Sequence, residues 1–167
     1  MVAVALGVLA TVSLTACGDD DDDAELKKAA SVKVEYNVTL SEDIIKYYDV
    51  EVNYLGNEGK VVQNAQVPTR TWKGYKGSSS TLPVKVFYTF NFIKNDKEFS
   101  GKINLSYNSE VTITVYNKDG KKLRSKTYTA KTENTGIDPN LYSPSTVLDQ
   151  VKFEYTVPAD GKLEDIK

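Results

Sequence analysis

From residue 31 onward, apolar and polar positions alternate with a period of two. That period marks strands that bury one face. In "VKVEYNVTL", Val32, Val34, Tyr36, Val38 and Leu40 share one face, while Lys33, Glu35, Asn37 and Thr39 take the other. "SEDIIKYY" breaks the pattern; Ser41 is placed to cap a single helical turn, with Glu42 and Asp43 near its positive end. "DVEVNYL" resumes the alternation and "GNEG" turns the chain. "KVVQNAQV" is a weaker strand that ends at Pro68, as suits an edge. "TRTWKGY" and a flexible loop, "KGSSS", follow. The strongest run, "LPVKVFYTFNFI", sets Val84, Val86, Tyr88, Phe90 and Phe92 on one face. "FSGKINLSY" and "EVTITVY" read as two more strands. "NKDG" reads as a hairpin turn with Gly120 at its left-handed position, and "KKLRSKTYT" as the returning strand. A long loop, "ENTGIDPNLYSPST", precedes the last strand, "VKFEYTV", which Pro158 ends.

About eight short strands, with turn signals between them and no long 3.6-residue pattern, predict an all-β domain. One-faced alternation calls for antiparallel sheets that each bury one side. The expected fold is an immunoglobulin-like two-sheet antiparallel β-sandwich, with a small β-barrel as the alternative. The 11 Tyr against one Met agree with a β composition.

Composition removes whole classes of chemistry. The chain has no His and one Cys. Imidazole-dependent triads, zincin sites, intramolecular disulfides and Cys-rich metal sites are therefore excluded. The net charge of -2 is concentrated at one end, because residues 17–30 sum to -4 and residues 31–167 to +2. A nucleic-acid binder needs a clustered basic face, and a folded part this close to neutral suggests none. No cofactor or resident metal is expected.

The N-terminus reads as an address. Residues 2–16 form an apolar run, shorter than the roughly 20 residues of a membrane-spanning helix and of signal-peptide length. Leu14-Thr15-Ala16-Cys17 resembles a bacterial lipobox. The resemblance implies cleavage after Ala16 and lipidation of Cys17, with several acyl chains holding the protein to a membrane. The run Asp19, Asp20, Asp21, Asp22 and Asp23 resembles the surface-export signal of Bacteroidota lipoproteins. Together these imply a signal peptide over 1–16, a lipidated acidic tether over 17–30 and a β-sandwich domain over 31–167. They also imply an outer-membrane location, cell-surface exposed, with a periplasm-facing placement as the alternative. The stretch "YNVTLSEDIIKYYDVEVNYLG" resembles the start of small Bacteroidota lipoproteins with a single β-sandwich, a likeness that brings no activity with it.

Trp72 and Tyr75, beside Arg70 and Lys73 in "TRTWKGYKG", are the candidate ligand-binding residues. Flat rings next to polar donors suit sugars. The competing reading is a Trp packed at the sandwich edge with its indole N–H taken by backbone. Tyr116 and Tyr128 flank the "NKDG" turn as a possible cross-strand pair. Asp138 and Asn140 offer two oxygen ligands for Ca²⁺, which is weak without more. Glu35, Asp49, Glu51, Glu98 and Glu154 could supply a glycosidase pair, yet no spacing singles one out. The expectation is a non-enzymatic, membrane-anchored binding or structural module with a glycan or surface-protein partner. A fimbrial or adhesin-type subunit is the alternative, and a glycoside hydrolase the least favoured reading.

Overall fold

A computed structural model describes residues 28–165, Tyr142 excepted. Cys17 and Asp19–Asp23 lie outside the described residues. The chain forms two four-stranded antiparallel sheets that pack face to face without closing into a barrel. One sheet holds β4 (Thr71–Ser79), β1 (Ser31–Leu40), β6 (Tyr107–Tyr116) and β7 (Lys122–Thr132), in that spatial order. The other holds β3 (Val61–Gln66), β2 (Tyr48–Leu55), β5 (Val84–Lys94) and β8 (Lys152–Val157). Two short helices, α1 (Glu42–Tyr47) and α2 (Pro144–Leu148), lie in connections.

The alternation in the sequence becomes the core directly. Val32, Val34, Tyr36, Val38 and Leu40 are all buried, and so are Val111, Ile113 and Val115 on the neighbouring strand. At one corner the sheets touch through backbone. Tyr36 Oη donates to the Leu55 carbonyl at 3.1 Å, from one sheet to the other. Ser78 N donates to the Gly56 carbonyl at 3.0 Å. Gly77 permits this approach, because a Cβ there would lie 2.2 Å from the Leu55 oxygen.

Three elements differ from the sequence expectation. "KGSSS" is not a loop but the continuation of β4, with Gly77 and Ser79 buried against the opposite sheet. "FSGKINLSY" is not a strand. Ile103 and Leu105 plug the core from a loop, and Ile103 makes only an isolated bridge to Ile137. The apolar alternation there serves burial without a ladder. Ser41 precedes α1 but does not cap it, since its hydroxyl donates to the Asn104 carbonyl at 2.6 Å and ties that loop down.

The connections divide the molecule into two poles. Ala30 N donates to the Tyr116 carbonyl, so the chain enters beside the 117–120 turn. The tail after β8 returns to the same pole, where Gly161 packs against Ala29 and Val115. The ends of β1 and β5, α1, the 95–106 loop and α2 occupy the opposite pole.

Gly77→Ala is expected to lower stability by roughly 3 kcal/mol, since the new methyl meets backbone that cannot rotate away. Gly101→Ala, at an open turn with φ 75°, is expected to cost only about 1 kcal/mol. Urea denaturation of both variants measures the contrast, and equal losses would contradict the tight corner.

Candidate functional site

Strand β4 carries a bulge where Tyr36 and Asn37 shift register against it. Gly74 sits in the bulge at φ 73°, and its N–H donates to Asn37 Oδ1 at 3.0 Å. The extra residue turns Trp72 and Tyr75, three positions apart, onto the same inner face. The sequence-level candidate pair is thus brought together, but inward. Trp72 is only 1% exposed. Its ring lies 5.5 Å from Tyr36, 5.1 Å from Tyr54 and 5.4 Å from Phe90, with Tyr75 stacked on it at 4.8 Å and 21°. A sugar has no face of Trp72 to meet, which corrects the expectation for that residue. The indole nitrogen has no hydrogen-bond partner either, so its N–H is not taken by backbone. Rings surround it on this inner face.

The other candidates scatter. Tyr75 is 39% exposed at the sheet edge. Arg70 is held by Glu42 Oε1 at 2.9 Å and the Leu40 carbonyl at 3.2 Å. Lys73 is exposed opposite Asn37, on the outer face. The four do not line a common surface. Tyr116 pairs with Lys122, and Tyr128 pairs with Val111 on the inner face, so the two rings are not cross-strand partners. Asp138 Oδ1 accepts from Asn140 N at 2.9 Å in a local turn, and no cluster of three metal-ligating side chains exists among the described residues. Glu51 accepts from Gln66, and Glu154 pairs with Lys85.

A concave surface lies at the pole opposite Ala30 and Gly161. Strand β5 runs to Lys94, but its partner β8 begins only at Lys152, opposite Thr89. Helix α2 borders the space that β8 leaves open, with Leu148 buried. Between them is a cleft of about 500 Å³. Tyr48, Phe90, Phe92, Phe99 and Leu148 line its apolar part, and Asp149 stands at its rim. The rings hold one another: Phe90 stacks on Phe92 at 6.1 Å, and Tyr48 meets Phe92 edge-on at 6.3 Å. Lys94 Nζ lies over the Phe99 ring at 4.7 Å and donates to the Asn95 and Lys97 carbonyls, which fixes the loop that carries Phe99. Such a surface can bind a ligand with an apolar face and polar edges. Sequence reading missed it because Phe92 reads as strand alternation and Phe99 as the start of another strand. The one usable signal was Ser143-Pro144, a helix-start pair inside the presumed loop.

Residues 99–144 match the family model described as a secretion system C-terminal sorting domain. The match covers less than a third of the chain. The likeness fits an exported cell-surface protein, of a kind typical of Bacteroidota type IX secretion. It says nothing of a lipid anchor. In space the matched segment is not an appended tail, because β6 is an inner strand paired along its length with β1. Neither the comparison with curated proteins nor that with solved structures gave a match.

The buried phenols beside Trp72 make stability depend on alkaline pH. Burial pushes the Tyr88 hydroxyl up to about 12 and raises Tyr36 strongly as well. Both exceed the unfolded value of about 10, so their contribution is complete below pH 10 and is lost as pH rises towards 12. Urea midpoints should fall over that interval. Tyr88→Phe, which deletes a hydroxyl without a hydrogen-bond partner, should be neutral to slightly stabilising at pH 7 and should flatten the alkaline slope. An unchanged slope would contradict this.

Proposed function

We propose that the protein is an exported, lipid-anchored, non-enzymatic binding module of the cell surface that takes a glycan or protein ligand in the cleft between β5 and α2. One observation carries the reading. The aromatic cleft lies at the pole opposite the point where the chain enters the fold at Ala30. A domain tethered through Cys17 would present that pole outward. The lipobox-like residues Leu14 to Cys17, the acidic run after them and the sorting-domain likeness of residues 99–144 support export.

The fimbrial reading has less support, because long sheet edges are guarded. Strand β7 carries Lys122, Arg124, Lys126 and Lys131. Strand β3 has a register shift and Asn64 at φ 51°. Strand β8 is flanked by the tail, through Tyr155 Oη to the Lys162 carbonyl at 3.2 Å. Charges, bulges and covering segments all discourage strand exchange along a whole edge.

Cys17→Ser should move the full chain from the membrane fraction to the soluble fraction; unchanged retention would defeat the anchor. Protease added to intact cells should degrade the wild type, and full protection until lysis would defeat outward display. On glycan and extracellular-protein arrays, Phe99→Ala and Asp149→Arg should each weaken the ligand signal about tenfold. Unaltered binding by both variants would remove the cleft from the function.

A further inference from the structure

The cleft floor contains more than rings. Successive residues of a strand direct their backbone groups to opposite sides. Phe90 N donates to the Val151 carbonyl at 3.2 Å, so Phe90 faces the β8 side. Val67 N donates to the Val50 carbonyl, which turns Val50 towards β3 and away from its register partner Phe92. Asn95 N donates to the Tyr47 carbonyl on the β2 side. All three bonds agree that the N–H and C=O groups of Phe92 and Lys94 point to the β8 side. There β8 has not yet begun, and no described strand takes them. The outward neighbour Ile93 is 53% exposed at the same place.

We propose that the ligand of this cleft is an extended peptide segment of a partner protein, which adds to β5 as a strand in the position β8 leaves vacant. This rests on the reading of the cleft as a binding site and names its ligand. Unpaired backbone donors and acceptors at strand spacing are matched by another backbone, and this mode of recognition draws affinity from main-chain bonds and specificity from alternate side chains. Two free residues on one side span about 7 Å, the reach of a segment of about three residues. Its inward side chain is bulky and apolar and enters between Phe92, Phe99 and Leu148. Its outward neighbour is β-branched and lies beside Ile93. The long edges of both sheets are charged, bulged or flanked, whereas this short one opens into an aromatic cleft.

The test uses the full chain and a phage-displayed library of random linear peptides. Enriched peptides should lose binding to Phe99→Ala. Synthesised with single N-methyl groups at successive residues, they should lose affinity at least tenfold at alternate positions only. Their binding should also slow hydrogen exchange of the Phe92 and Lys94 amides at least tenfold. Peptides that bind without the alternation, or without protecting those amides, would overturn strand addition. No enriched peptide, with an array glycan that binds wild type and not Phe99→Ala, would overturn the peptide proposal and leave the binding-module reading standing. No ligand of either class would overturn both.

Discussion

The hydrogen bond from Tyr36 to the Leu55 carbonyl sets the distance between the two sheets at their closed corner. Everything packed nearby follows that distance. Gly77 lacks a side chain where backbone meets backbone, and the bulge at Gly74 brings Trp72 and Tyr75 inward behind it. The bond itself contributes only about 1 kcal/mol. The rings it positions contribute more, since each large buried side chain is worth roughly 1.5–3 kcal/mol by burial. A hydroxyl left without a partner at that depth would instead cost the fold. Twisted sheets joined at one corner stand further apart elsewhere. On the β7–β8 side the gap is bridged by the tail: Tyr128 Oη donates to the Glu164 carbonyl at 2.9 Å, and Lys126 pairs with Asp165 at 2.8 Å.

Strand positions were legible in the sequence because a one-faced period of two leaves little freedom: a slip of one residue would expose Val32, Tyr36 and Leu40 together. The pairing between sheets was not legible. Nothing local tells that Gly77 touches Leu55, 22 positions away in the chain. The misread loop at 99–106 shows the same limit, because Ile103 and Leu105 alternate like a strand yet find no neighbouring ladder. Trp72 and Tyr75 were rightly associated, but the face they share was not legible. Their spacing of three would put them on opposite faces of a regular strand, and only the left-handed Gly74 reverses that. The cleft was least legible. It is built from the mismatch in length between β5 and β8 and from a five-residue helix, and both are properties of the assembled fold.

The sorting-domain likeness and the lipobox-like N-terminus describe different devices for reaching a surface. Geometry separates them. Residues 99–144 contain β6 and β7, half of one sheet, and removing them would open the core at Val111, Ile113 and Val115. The matched segment is therefore an integral part of the folded sandwich. A tether ahead of Ala30, by contrast, leaves every strand in place.

The proposed recognition has few chemical instruments to draw on. The chain has no imidazole, and Glu51 and Glu154 are engaged by Gln66 and Lys85. Aromatic area and backbone polarity remain. Most of the aromatic area lies inside the sandwich, where Tyr36, Tyr54, Trp72 and Tyr88 pack on one another. Phe92 and Phe99 are the partly exposed members of that chemistry at the far pole, linked to the core through Phe90 and Tyr48. The rings that stabilise the fold and the rings that face solvent in the cleft therefore form one continuous series. Stiffness in the first holds the second in place, so a ligand of the proposed kind would meet a surface whose ordering cost was met when the chain folded.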